Sequence, residues 1–263
     1  MEDDATTKET LTLAKSALIA LLTLTAPIAL AAPALAQDAP AATAPEAATP
    51  AAAGAATPMT PEQIAAFNKA VTDFTAGQTA QQSGDNAAAS AKYDAALPAI
   101  RTAVQSDPAK IDNVNFLANA LYANAAAYGA QGQMDKVIAL YGEALPHWRT
   151  IVQAKPTDMA SRNILAGILI QMGNQKLAAQ DKAGSAPLYT EALALARKSV
   201  AEKGTDPINR NILLSALIGA SQSSGDAALQ AEAVNMSKTM LADGSVDASN
   251  KPAAQALTGA KAG

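Results

Sequence analysis

The chain has no cysteine and a single histidine, His147, among its 263 residues. Without a thiol there is no disulfide framework, no thiolate metal cluster, no cysteine nucleophile and no lipidated cysteine of the kind that anchors a bacterial lipoprotein. One imidazole cannot build a multi-histidine metal site. Charged residues make up only 16% of the chain, and 19 basic against 23 acidic side chains leave a formal net charge of -4. That leaves no cationic surplus to neutralise a phosphate backbone, so no nucleic-acid partner is expected. The motifs G-x-S-x-G, P-loop, H-E-x-x-H, EF-hand and G-x-G-x-x-G are all missing. No enzyme activity, cofactor or metal is therefore expected.

What the chain does have is alanine, and long stretches with different jobs. Residues 16–36 form an apolar, proline-interrupted run that follows Lys15 and ends Ala34-Leu35-Ala36. This is the layout of a secretory signal cleaved after Ala36, and its clean apolar part falls short of the roughly 20 residues of a membrane span. The expectation is export to the periplasm or beyond, with no stable membrane span once the signal is cut. The opening ten residues depart from that layout, with Glu2, Asp3, Asp4 and Glu9 against Lys8, which suggests a true start further in. Residues 37–60 are rich in alanine, proline and threonine with almost no large apolar side chain. Such a stretch buries too little surface to offset its ordering entropy and reads as a disordered linker.

From Thr60 onward the periodicity is helical, and the chain repeats itself. Tyr93, Tyr141 and Tyr189 are 48 residues apart, and so are Ala96, Ala144 and Ala192; Leu97, Leu145 and Leu193; Arg101, Arg149 and Arg197; and Val104, Val152 and Val200. Asn115, Asn163 and Asn211 keep the same interval, and Arg162-Asn163-Ile164-Leu165 recurs as Arg210-Asn211-Ile212-Leu213. Polar breaks at Ser83-Gly84-Asp85-Asn86, Gln131-Gly132-Gln133, Gln180-Asp181-Lys182 and Ser224-Gly225-Asp226 split each unit into two helices, and Pro108, Pro156 and Pro207 separate the units. The expected helices span 61–82, 87–106, 112–130, 134–154, 158–179, 183–203, 207–223 and 227–242, followed by a flexible tail over 243–263. The fourth unit is short and keeps little of the motif in its second helix, as suits a terminal unit with one face in water.

These residues resemble the tetratricopeptide repeat. Gly84, Ala89, Tyr93, Ala96 and Leu97 follow the small-aromatic-small pattern of that family's second helix, with Gly77 where its first helix carries a packing glycine. Gly132, Val137, Tyr141, Ala144 and Leu145 repeat it, as do Gly173, Ser185, Tyr189, Ala192 and Leu193. A unit of that family runs about 34 residues, and the excess here is about two helical turns per helix. The resemblance implies an all-α fold, an α-solenoid of about four helix-turn-helix repeats with eight antiparallel helices over 61–242. It also implies a binding role on the concave face of the first helices.

Aligned in register, the first helices present Phe67, Asn115, Asn163 and Asn211; then Val71, Asn119, Gly167 and Ser215; then Phe74, Tyr122, Ile170 and Ile218; then Gln78, Ala126, Asn174 and Gln222. Within a unit these lie at offsets that form one stripe. The candidate partner-binding residues are Asn115, Asn119, Tyr122, Arg162, Asn163, Ile170, Asn174, Arg210, Asn211, Ser215 and Gln222. An asparagine carboxamide offers a donor and an acceptor to a peptide backbone, and Arg162 and Arg210 could meet a carboxylate. The same asparagines equally suit bonds from unit to unit. Arg101, Arg149 and Arg197 read as structural, and so does His147 beside Trp148. The leading expectation is an exported scaffold for a protein or peptide partner. The alternative is a periplasmic carrier of a small molecule or lipid in an apolar cavity between helices.

Overall fold

The computed structural model describes residues 56–259. The expected signal, the linker as far as residue 55 and the last residues of the chain lie outside them. The described residues are all-helical, without a strand: α1 (Pro61–Gln82), α2 (Asn86–Ser106), α3 (Ile111–Ala130), α4 (Met134–Ala154), α5 (Met159–Ala178), α6 (Lys182–Glu202), α7 (Pro207–Ser224), α8 (Ala227–Ala242) and α9 (Lys251–Thr258). None of these helices is long and apolar enough to cross a membrane.

The helix ends follow from side chains at the breaks. Thr60 caps α1 in a reciprocal box, accepting from the Gln63 amide while Gln63 Oε1 accepts from the Thr60 amide. Asp85, Asp158, Asp181, Asp206 and Asp226 each accept from amides of the first turn that follows them. Gly84, Gly132 and Gly225 turn the chain at positive φ, and Gln180 takes the same conformation at 62° in the third unit without being glycine. Second helices run through a proline, at Pro98, Pro146 and Pro187. Each lacks the amide its i−4 carbonyl needs, and at the first two a threonine hydroxyl one turn on, Thr102 or Thr150, donates to the proline carbonyl.

Each helix packs on its neighbours in sequence, and the 48-residue equivalence is visible in individual bonds. Asn113 Nδ2 donates to the Ala103 carbonyl at 3.2 Å, and Asn209 Nδ2 donates to the Ser199 carbonyl at 3.2 Å. Arg101 grips Glu143 through Nε and Nη2 at 2.7 and 2.9 Å, and Arg149 grips Glu191 in the same two-point way at 2.9 and 2.6 Å. Arg197 meets Glu232 at 2.5 Å. A ladder of ion pairs therefore runs from α2 to α4, α6 and α8, one unit to the next.

The core holds Tyr93 and Tyr189 fully buried. The Tyr93 ring lies where a β-carbon on Gly77 would fall, 2.6 Å from Cε1, and the Tyr189 ring lies 2.8 Å from the equivalent place on Gly173. Glycine at those two points allows the aromatic ring to reach the backbone of the first helix. Tyr93 donates to Gln81 Oε1 at 2.8 Å and Tyr189 to Asn174 Oδ1 at 2.5 Å. Unit two differs. Ala125 stands at the glycine position, and Tyr141 stacks on Tyr122 instead, centroids 6.1 Å apart at 22°.

The first helices are unevenly spaced. Phe116 of α3 meets Phe67 and Phe74 of α1 edge-on at 5.8 and 5.2 Å, and α5 packs along α7, whereas α3 and α5 share no comparable packing.

The stretch after 242, expected as a flexible tail, is instead bound to the fold as far as it is described. Asn250, at the N-cap of α9, is 1% exposed, and Ala253 and Ala254 are buried. Small residues and Pro252 hid this helix, because eight residues are too few to show a helical period.

Candidate partner-binding surface

The candidate stripe divides at unit three. On α7, Asn211 is buried and saturated: Nδ2 donates to the Pro207 and Ser245 carbonyls, both at 2.9 Å, and Oδ1 accepts from the Asp247 amide at 2.9 Å. Ser215 donates to Asn250 Oδ1 at 2.6 Å, and Asn250 Nδ2 returns to the Asn211 carbonyl at 3.1 Å. Arg210 reaches Asp243 at 3.2 Å. The chain's own residues 243–250 thus cover this end of the stripe, and one carboxamide reads a carbonyl and an amide two residues apart.

On α5 the stripe is drawn into the fold. Arg162 is 1% exposed, donating to the Pro156 carbonyl at 2.6 Å and pairing with Glu202. Its position under the α6 terminus leaves it closed to a ligand carboxylate. Asn163 Nδ2 donates to Asn209 Oδ1 at 2.7 Å, a bond from unit to unit, while its Oδ1 is buried without a partner. Ile170 is buried, and so is Asn174, which holds the Tyr189 hydroxyl and leaves its own Nδ2 unpartnered. Gln222, at the far end of α7, is exposed.

On α3 the stripe stays half-exposed. Asn115 and Asn119 are linked, Asn119 Nδ2 donating to the Asn115 carbonyl at 2.8 Å and to its Oδ1 at 3.3 Å, while Asn119 Oδ1 is buried and unpartnered. Tyr122 adjoins them. Its ring stacks on Tyr141 and meets Trp148 edge-on at 6.4 Å and 80°. Neither phenol of this pair makes a hydrogen bond among the described residues, and Tyr141 is buried while Tyr122 is half-buried. The Trp148 Nε1–H is buried and also lacks an acceptor. Burial pushes the Tyr122 phenol above its ordinary value, and burial together with the adjacent Tyr122 does the same to Tyr141. Both therefore stay neutral donors at physiological pH.

Two members of this group, Tyr141 and Trp148, stood in the sequence as a repeat-motif residue and a neighbour of His147, and not among the candidate partner-binding residues. The signal was there in the column Gly77, Ala125, Gly173: a methyl in place of hydrogen forces the second ring elsewhere. His147 is half-buried, its pKa lowered by burial against a smaller opposing effect of Glu143, and it has no hydrogen-bonding partner suited to base catalysis among the described residues. No cluster of three or more His, Asp or Glu at metal-binding spacing occurs there either.

No protein-family model matches this chain, and no curated protein matches it.

Proposed function

We propose that this chain is an exported helical-repeat scaffold, an α-solenoid of four units similar to tetratricopeptide repeats, that binds a protein or peptide partner on the stripe of its first helices. The observation that carries the reading is the one occupied part of that stripe. Asn211 holds residues 245 and 247 of the chain's own C-terminal segment by a backbone carbonyl and a backbone amide, which is sequence-independent peptide recognition. The same column continues at Asn115 and Asn119, which remain half-exposed beside Tyr122 and Tyr141, whose phenols make no hydrogen bond among the described residues. A stacked repeat suits this use, since each unit adds an equivalent patch to a continuous surface.

The partner site then lies on α3, with Asn115, Asn119 and Tyr122 as contacts. Arg162, Asn174, Asn211 and Ser215 support it from within the fold. Affinity capture from an extract of the exported fraction, wild type against Asn119→Ala/Tyr122→Ala, tests this. Loss of the captured partner in the variant, with an unchanged helical spectrum, is the expected result. An identical partner set would remove α3 from the interface.

A further inference from the structure

Unit two is tied to unit three far more loosely than unit one is to unit two. From unit one to unit two, Asp94 of α2 accepts from Asn124 Nδ2 at 2.7 Å and from the Tyr128 hydroxyl at 2.5 Å. Asn113 Nδ2 donates to the Ala103 carbonyl, and Gln131 Nε2 to the Asn86 carbonyl at 2.8 Å. From unit three to unit four, Asn209 Nδ2 donates to the Ser199 carbonyl while its Oδ1 accepts from Asn163. One unit on from Asp94, Asn124, Tyr128, Asn113 and Gln131 stand Gly142, Met172, Lys176, Ser161 and Ala179. Gly142, Met172 and Ala179 lack the bonding group, Ser161 spends its hydroxyl on Asp158 at 2.7 Å, and Lys176 pairs with Asp181. Each bond that fastens unit one to unit two through these positions is therefore missing one unit later.

Packing follows the same division. α1 meets α3 and α5 lies along α7, but α3 and α5 share no comparable packing, and less of α4 lies against α5 than of α2 against α3 or of α6 against α7. Among the described residues, one hydrogen-bonded side-chain tie runs from α3 or α4 to α5 or α6, that of Arg149 to Glu191. These side chains are 47% and 34% exposed, so water and salt weaken the pair. The connection after α4 is held by unit three, because Arg162 of α5 and Lys198 of α6 both donate to the Pro156 carbonyl, at 2.6 and 3.1 Å. Lys155, whose amide bonds back to the Ile151 carbonyl of α4 at 2.8 Å, is where the two halves meet.

We propose that Lys155 is a hinge about which residues 61–154 and 156–258 turn as two bodies, with the Arg149 and Glu191 pair as its latch. A few residues at the end of an element suffice to absorb such a turn. Asn115 and Asn119 lie on one body, on α3, and Asn163 and Asn174 on the other, on α5, so a ligand that touches both helices would bias the angle. The hinge goes beyond the partner reading and operates without a partner.

A chain with no cysteine accepts spin labels only where they are placed. Ala87, Asp135 and Ala183 are exposed, 48 residues apart, and each is the second residue of its helix. Nitroxide pairs in the full chain at Ala87→Cys/Asp135→Cys and at Asp135→Cys/Ala183→Cys therefore read the two junctions from equivalent positions by pulsed double electron resonance. The expected distance distribution is at least twice as wide for the second pair as for the first. Arg149→Gln should widen the second further and leave the first unchanged. Gly142→Asp/Met172→Asn/Lys176→Tyr, which rebuilds the Asp94 bonds one unit later, should narrow it toward the width of the first. Equal widths in the otherwise unaltered chain overturn the proposal, and so does a wide distribution that Arg149→Gln leaves as it was. Failure of the triple substitution to narrow it, with an unchanged helical spectrum, also overturns it. Where that substitution lowers helicity, the response to Arg149→Gln decides. None of these results bears on partner capture through Asn119 and Tyr122, so the two readings stand or fall separately.

Discussion

A β-carbon on Gly173 would lie 2.8 Å from the Tyr189 ring and one on Gly219 1.9 Å from it, whereas one on Gly142 meets nothing within 4 Å. The same substitution should therefore have opposite signs. Gly219→Ala must push a fully buried ring and is expected to cost about 1–3 kcal/mol. Gly142→Ala, on an exposed turn of α4, should stabilise by about 0.5–1 kcal/mol through helix propensity. Urea unfolding of the two variants checks both. His147 supplies a pH dependence. Burial holds its pKa below the unfolded value, against a smaller opposing effect of Glu143, so the unfolded chain binds the proton more readily. Its contribution is present above the unfolded pKa, near 6.5, and declines as pH falls toward the folded value. Thermal melts between pH 8 and pH 5 should show that decline, and His147→Gln should flatten it.

Among the elements, the second helices are tied from unit to unit by ion pairs, whereas the first helices meet by packing only between α1 and α3 and between α5 and α7, so the two layers respond differently to salt. Arg149 and Glu191 are both substantially exposed, and the pair should contribute only about 0.2–1 kcal/mol in a double-mutant cycle, shrinking in high salt. The cap of α5 matters as much. Burial opposes ionisation of Asp158, yet bonds from the Ser161 hydroxyl and amide hold its pKa below the usual carboxylate range. Asp158→Ala should cost about 1 kcal/mol by urea unfolding near neutral pH, and much less once acid has protonated the wild-type carboxylate. Helix positions were legible in the sequence to within a residue or two because Gly, Asp and Pro mark nearly every end. What escaped was α9, where local signals point to a break and tertiary packing overrides them. The candidate stripe was legible as a column. Which members stay open was not, because that depends on where residues 243–250 return and on one methyl at Ala125.

At the scale of the molecule, one end of the stripe is closed by the chain's own C-terminal segment and the other ends on α1, where Ile64 and Val71 are exposed at 49% and 39%. The segment's grip is concentrated in Asn250, which links the Ser215 hydroxyl to Asn211. Asn250→Ala leaves those buried groups unpaired. It should release amide protection over 243–258 in hydrogen exchange while α1 to α6 stay protected, since each unit of a stacked array leans chiefly on its neighbours. Uniform loss across all helices would instead mark a single cooperative bundle. On the proposed reading, partner recognition belongs to α3 in unit two. Site-specific photocrosslinking tests it most directly, with benzoylphenylalanine at Asn119 compared with the same probe at Gly142 on α4, in the native host. One discrete adduct from position 119 and none from 142 is the expected result. Adducts from both positions alike, or from 142 alone, would contradict it.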